Sequence, residues 1–245
     1  MSQSPLSQQS PSVKLRGVNL GGWLVLEKWM TPSVFEGLQA TDETTWCAEL
    51  GAAATQRLQQ HWNTFITRED FVWLHEHGIN AVRIPVGHWI FGADYPYHRS
   101  YGEHRYPFVE GGLAVLDRAF AWAKELELKI VLDLHAAPGC QNGFDNGGIK
   151  DVCEWHTQAD YREHSLSVLE RLKRDPLTRH IPVHVVSGME RSQLAMELGA
   201  IGYVIKPATR ERLVEAIQHL EKTSQRDVRR LLIVEDDTEL RGNLE

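Results

Sequence analysis

The chain has 245 residues, enough for one large α/β domain or two small ones, and its 42% hydrophobic content allows a buried core. Its formal net charge of −7, with scattered basic residues, argues against a nucleic-acid-binding protein, because phosphate contacts need clustered Lys and Arg. No apolar run approaches the ~20 residues of a membrane helix, and the polar N-terminus lacks the apolar segment of a signal peptide. We therefore expect a cytoplasmic protein without a membrane partner.

The first two thirds of the chain alternate between strand and helix patterns. Residues 1–12 are predicted to form a flexible tail, and apolar runs predict strands at 13–20, 79–85 and 129–134. Helical spacing predicts helices over 48–65, from the N-cap Thr67 to Gly78, along the face shared by Leu113, Leu116, Phe120 and Ala123, and over 160–172. This alternation favours parallel strands joined by helical crossovers.

The last third repeats the alternation at a tighter spacing. Strands are predicted at 183–187, 202–205 and 230–235, with helices over 190–198 and after Thr209. Residues 223–229 are predicted to be a polar linker.

Cysteine usage gives no sign of a cross-linked or metal-binding protein. Cys47, Cys140 and Cys153 form no CxxC pair and no even-numbered framework. This pattern favours reduced thiols over a disulfide or a metal site.

Polar residues follow the strands of the first two thirds, where parallel α/β folds bind ligands. Acids, amides and basic groups beside tryptophans suit sugars, whose faces stack on aromatic rings and whose hydroxyls need polar partners. Taken singly, each of these residues is more often structural than functional. The candidate substrate-binding residues are Glu27, Arg83, His88, His135, Asn142, Asp145 and Asn146.

Several motifs in this region carry a family resemblance when they are taken together. They are RGVNLGGWLVLE at 16–27, CAELG at 47–51, NAVRIPVGHW at 80–89 and LDLHAAPGCQNGFDNGG at 132–148. In order and spacing, residues 13–169 resemble the exo-β-1,3-glucanase-like branch of glycoside hydrolase family 5. The resemblance implies strands one to three of a (β/α)₈ barrel. It also implies that Glu27 contacts a sugar hydroxyl, that Arg83 orients the nucleophile, and that His135 lines the same subsite.

The catalytic acids of that family are missing from the sequence. Retaining hydrolysis needs two carboxyl groups ~5–5.5 Å apart, and the family supplies one of them in an Asn-Glu pair. No Asn-Glu pair occurs in this chain, and Glu27 is a single carboxylate. We therefore predict a cofactor-free, inactive or weakly binding relative of a β-glucan hydrolase, with a β-glucan oligosaccharide as its partner.

A second resemblance covers the last third of the chain. The motifs IPVHVVSG at 181–188 and GAIGYVIKP at 199–207 carry it. With these motifs, residues 170–222 resemble the C-terminal half of a response-regulator receiver domain, which implies that Ser187 is the switch hydroxyl and Lys206 the phosphate contact. Residues 230–245, with the motif RLLIVEDD, resemble the start of a second receiver, in which Asp236 and Asp237 would help to hold Mg²⁺. A histidine kinase would be the partner of such modules. Asp133 has a context close to that of a receiver phosphoacceptor, but it fits the hydrolase pattern better.

The predicted fold class is therefore α/β, with a partial (β/α) barrel (strands one to three) joined to the second half of a doubly wound, flavodoxin-like receiver. Because strand three neighbours strand four in both parent folds, 183–187 is predicted to lie beside 129–134 in a five-stranded parallel sheet. Uncovered sheet edges favour self-association. Two alternatives stay open: a phosphorelay signalling module, and a chimera without a native function.

Overall fold

The computed structural model describes residues 15–92, 107–174, 183–187, 200–205 and 230–234, with residues 196, 209, 211–212 and 215–216. These residues include six strands: β1 (Gly17–Asn19), β2 (Ala81–Gly87), β3 (Lys129–Ala136), β4 (Val183–Ser187), β5 (Ala200–Ile205) and β6 (Arg230–Val234). The main helices are α1 (Glu43–Leu50), α2 (Ala53–Thr64), α3 (Arg68–Glu76), α4 (Gly112–Glu125) and α5 (Ala159–Arg174). The predicted tail, the linker at 223–229 and most of the helices predicted at 190–198 and after Thr209 lie outside the described residues.

The strands form one parallel sheet in the order β1-β2-β3-β6-β4-β5. The adjacency of β1, β2 and β3, each followed by helices, confirms the predicted α/β class. Beyond β1, Leu24 forms a single parallel bridge to Val86 near the end of β2.

The predicted neighbour of β3 was wrong. We expected β4 to lie beside β3 in a five-stranded sheet, but β6 pairs with β3 on one side and with β4 on the other. The apolar sequence of β6, RLLIV, is typical of a strand in the middle of a parallel sheet, whose two faces are both covered. In this position β6 satisfies the backbone groups that β3 and β4 would otherwise leave unpaired.

The predicted single helix over 48–65 is two helices, because Gly51 interrupts it. Gly51 has a φ of +54°, which a side chain disfavours, and α1 ends there before α2 begins at Ala53. The predicted N-cap Thr67 is confirmed, since Thr67 and Asp70 form a reciprocal capping box at the start of α3.

The core lies between the sheet and the helices of the first two thirds of the chain. Fully buried side chains come from the strands, such as Ile84, Ile130 and Leu132, and from the helices, such as Leu58 and Leu116. Within the part of the chain that the structure describes, no helix has the length and apolar character to cross a bilayer.

Candidate functional site

The site is built on the first three strands and on the loop that follows β3. Asn19 on β1 lies directly opposite Arg83 on β2, and Asp133 and His135 project from β3 two residues apart, on the same face. The Arg83 guanidinium donates hydrogen bonds to Asn19 Oδ1 at 2.9 Å and to Asp133 Oδ2 at 2.6 Å. Three neighbouring strands are therefore joined by one arginine.

Asp133 is the buried anchor of this cluster. Its side chain is 0% exposed, and its Oδ2 lies 2.9 Å from His135 Nδ1 as well as within reach of Arg83. A buried carboxylate is costly unless it is paired, and Arg83 supplies the compensating charge. Since Asp133 is both enclosed and paired, its geometry disfavours a phosphoacceptor role and agrees with its place in the hydrolase pattern.

His135 connects the strand cluster to the loop after β3. Asn146 Nδ2 lies 3.0 Å from His135 Nε2, and an amide NH₂ group can only donate. Nε2 therefore accepts, and Nδ1 carries the proton that is donated to the Asp133 carboxylate. Arg83 also lies 3.2 Å from His135 Nδ1, but with the proton on Nδ1 this contact is not a hydrogen bond. Both groups are donors, and both donate to Asp133 Oδ2.

From His135 the hydrogen bonds continue through Asn146 and Asn142, and we call this chain of hydrogen bonds the relay. Asn142 Nδ2 donates to Asn146 Oδ1 at 3.1 Å, and Asn142 Oδ1 accepts from the Phe144 N–H at 3.1 Å. Asn142 Oδ1 also lies 3.4 Å from the thiol of Cys140. Burial raises the pKa of the Cys140 thiol, which keeps it in the protonated form that can donate.

Two glycines shape the loop around this relay. A side chain at Gly147 would place its Cβ 2.1 Å from Cys140 Sγ, so the close approach requires glycine. Gly148 has a φ of +82°, and its Cβ would collide with the Trp89 ring at 2.7 Å. The loop is thus pressed against the end of β2.

The remaining three predicted residues are not members of the relay. Asp145 is half-buried, and its Oδ1 accepts from the Asn146 N–H at 3.1 Å. Glu27 is 2% exposed, and Trp29 Nε1 donates to its Oε2 at 3.0 Å. His88 is buried against the rings of Phe108 and other aromatic side chains.

Exposed aromatic rings adjoin these polar groups in the chain. Trp29, the partner of Glu27, is 65% exposed, and Phe144, next to Asp145, is 45% exposed. Large apolar side chains on the surface are informative when they accompany convergent polar groups. Donors, acceptors and flat apolar faces together fit a polyhydroxylated ring.

Sequence reasoning missed several residues that hold the site together. Asn19, Asp42 and Glu43 were not singled out, although the capping pattern around Asp42 could have indicated the start of a helix. Glu43 is 1% exposed, and burial raises its pKa to about 8, with repulsion from Asp42 adding to the rise and hydrogen bonds from Leu26 N–H and Trp89 opposing it. No pattern in the neighbouring sequence identifies Glu43 as a buried carboxyl group that holds the site together.

The residues predicted for a receiver are mostly not described. Ser187 ends β4 opposite Ile205 on β5, but its side chain, like Lys206, Asp236 and Asp237, lies outside the described part of the structure. Among the described residues, no cluster of three or more His, Cys, Asp or Glu side chains could hold a metal ion. The three cysteines are unpaired thiols.

Comparisons with known proteins agree on one class of relative. The chain is 46% identical over 193 residues to the probable glucan 1,3-β-glucosidase A of Emericella nidulans, a match that covers 74% of this chain and 45% of that protein. It is 50% identical over 146 residues to the same-named protein of Aspergillus fumigatus, covering 58% of this chain and 32% of that protein. The chain spans less than half the length of these relatives. No protein-family model matches it.

A solved structure shows the same fold. The rutinosidase from Aspergillus niger superposes with a TM-score of 0.62 at 20% identity, covering 96% of this chain and 66% of that one. The chain therefore has glucan 1,3-β-glucosidase homologues and an α/β fold similar to a glycoside hydrolase barrel. Neither comparison supports the predicted receiver fusion.

Proposed function

We propose that residues 13–169 form the sugar-binding part of a family 5 glycoside hydrolase site, and that this chain binds β-1,3-glucan oligosaccharides without cleaving them. The observation that carries the proposal is the relay from Asn142 through Asn146 and His135 to Asp133 and Arg83. It joins four of the seven predicted substrate-binding residues in one network.

The relay suits a neutral polyol because its charge is internally balanced. Arg83 compensates Asp133, so the cluster does not present a strong field of either sign. The hydrogen bonds of Asn142 and Asn146 fix the directions of their donors and acceptors. Polar groups that are already fixed bind hydroxyls without a further loss of side-chain entropy. The exposed rings of Trp29 and Phe144 offer apolar faces for the C–H surface of a sugar.

Absence of turnover follows from the carboxyl groups that the proposed chemistry requires. A retaining hydrolase needs an acid/base and a nucleophile ~5–5.5 Å apart. Glu27 accepts a hydrogen bond from Trp29, and Asp133 is paired with Arg83 and His135. The sequence contains no Asn-Glu pair. We therefore assign the chain a binding role. The hydroxyl contact of Glu27 that the family resemblance implies stays a prediction, because this side chain is 2% exposed and already accepts a hydrogen bond from Trp29.

Titration with laminaritriose, followed by intrinsic tryptophan fluorescence and by calorimetry, tests the proposal. Phe144→Ala should weaken binding by roughly 3- to 10-fold, which corresponds to an aromatic contribution of about 0.5–1.5 kcal/mol. Trp73→Ala is the matched control, because Trp73 is also exposed, at 56%, but stacks on His77 along α3. Equal losses in both variants, or no saturable binding, would refute the proposal, and so would glucose release by the wild-type chain.

Phosphorelay signalling is the second candidate. The observation that favours it is the parallel pairing of β4 with β5, which a receiver requires but which other parallel α/β folds share. Roles for Ser187, Lys206, Asp236 and Asp237, the Mg²⁺ site and the histidine kinase partner therefore stay predictions. The same holds for the cytoplasmic location, self-association, and a chimera without a native function.

A further inference from the structure

The first turn of α1 contacts the loop that carries the asparagine relay. Asp42 Oδ2 accepts a hydrogen bond from Lys150 N–H at 3.1 Å. Thr44 donates twice to Gly148 O, from its backbone N–H at 3.0 Å and from its hydroxyl at 2.6 Å. These contacts join positions more than 100 residues apart and fix the end of the loop just beyond Asn146.

The same turn contacts the segment that carries Glu27. Glu43 accepts the Leu26 N–H at 2.8 Å, and its carboxyl group also receives a hydrogen bond from the Trp89 side chain. Leu26 directly precedes Glu27, and Trp89 directly follows His88. One side chain thus holds two segments that carry predicted site residues.

Asp42 divides two tasks between its oxygens. Oδ1 accepts the Thr45 N–H at 2.8 Å and caps α1, whereas Oδ2 holds the loop through Lys150. The cap satisfies a backbone donor of the helix, as an N-cap normally does. The contact to Lys150 contributes nothing to the helix, and its effect is on the loop.

We infer that Asp42 and Glu43 are positioning residues of the carbohydrate site, holding the 137–150 loop and the Glu27 segment in register with Arg83 and His135. The inference rests on the proposed function, because that function makes the positioned residues a carbohydrate site. Its physical basis is independent of that function: both side chains are buried, at 2% and 1% exposure, and both bind backbone donors of site-bearing segments. Sites lose affinity when such supporting groups let the contacting residues move by even 1 Å.

Asp42→Asn separates the two tasks. Asparagine caps helices as well as aspartate does, so its oxygen can retain Thr45 N–H while its NH₂ group meets Lys150 N–H, donor against donor. We expect the Lys150 amide to exchange with solvent about tenfold faster, the His135 Nδ1–H proton resonance to shift, and laminaritriose affinity to fall about tenfold, the equivalent of 1.4 kcal/mol.

Thr67→Ala is the matched control, because Thr67 caps α3 through the same type of capping box. It should lower the melting temperature and leave both the loop exchange and the His135 signal unchanged. Thr44→Val provides a milder variant: it removes the hydroxyl bond to Gly148 O, keeps the backbone bond, and should change the loop exchange in the same direction but less.

The two hypotheses fail in different ways. If Asp42→Asn and Thr44→Val leave the loop exchange and the His135 signal as they are in the Thr67→Ala control, the positioning role is refuted. If the wild-type chain binds no laminaritriose, the proposed function fails, and the loop exchange of the free protein still decides whether Asp42 positions the loop.

Discussion

Replacing Glu43 by glutamine should remove a pH-dependent loss of stability from this protein. Burial raises the pKa of Glu43 from 4.5 to about 8, so the folded state holds a proton that the unfolded state releases at neutral pH. A group whose pKa is raised on folding stabilises most below its unfolded value, and that stabilisation is lost as pH rises towards the folded value.

The magnitude follows from the shift. One pKa unit corresponds to about 1.4 kcal/mol, so Glu43 should lower the free energy of unfolding by about 1.4 kcal/mol for each pH unit between its two pKa values. Across the whole interval from 4.5 to about 8 the loss amounts to about 5 kcal/mol. Glutamine keeps an oxygen for Leu26 N–H and has no proton to lose.

Urea unfolding followed by tryptophan fluorescence at pH 5, 6, 7 and 8 measures this effect. The stability of Glu43→Gln relative to wild type should rise steadily across the series. Glu76→Gln removes a carboxylate at an exposed position of α3 and controls for the change in net charge. Parallel stability curves for wild type and Glu43→Gln would refute the assignment of a buried, protonated carboxyl group.

Two further outcomes are expected from the buried groups. Arg83→Met should cost about 3 kcal/mol of unfolding free energy, because the enclosed carboxylate of Asp133 loses its compensating positive charge and keeps only the hydrogen bond from His135. Adding Asp133→Asn in the same chain should recover most of that loss in a double-mutant cycle. A disulfide reagent at pH 8 should modify the exposed Cys153 well before Cys47 or Cys140. Burial raises the pKa of the Cys47 and Cys140 thiols and also shields them from the reagent. Simultaneous reaction of all three cysteines would contradict this packing.

The local elements of this fold were largely predictable from the sequence. The N-cap at Thr67 and the strand at 183–187 depend on residues close to one another in the chain, and both are present as predicted. The grouping of Arg83 with His135 was also predicted, from their expected place at the ends of neighbouring strands. The structure places His135 near the C-terminal end of β3 but Arg83 in the middle of β2.

The sequence by itself therefore determined most of the strands and helices in the described part of the chain, though not the break at Gly51, because these depend on short-range periodicity and capping. Only the tertiary structure decided that β6 lies between β3 and β4, that Glu43 is enclosed, and that Asp42 holds a loop more than 100 residues away. Each of these depends on contacts between distant parts of the chain, where the energy of burial and hydrogen bonding outweighs local preference.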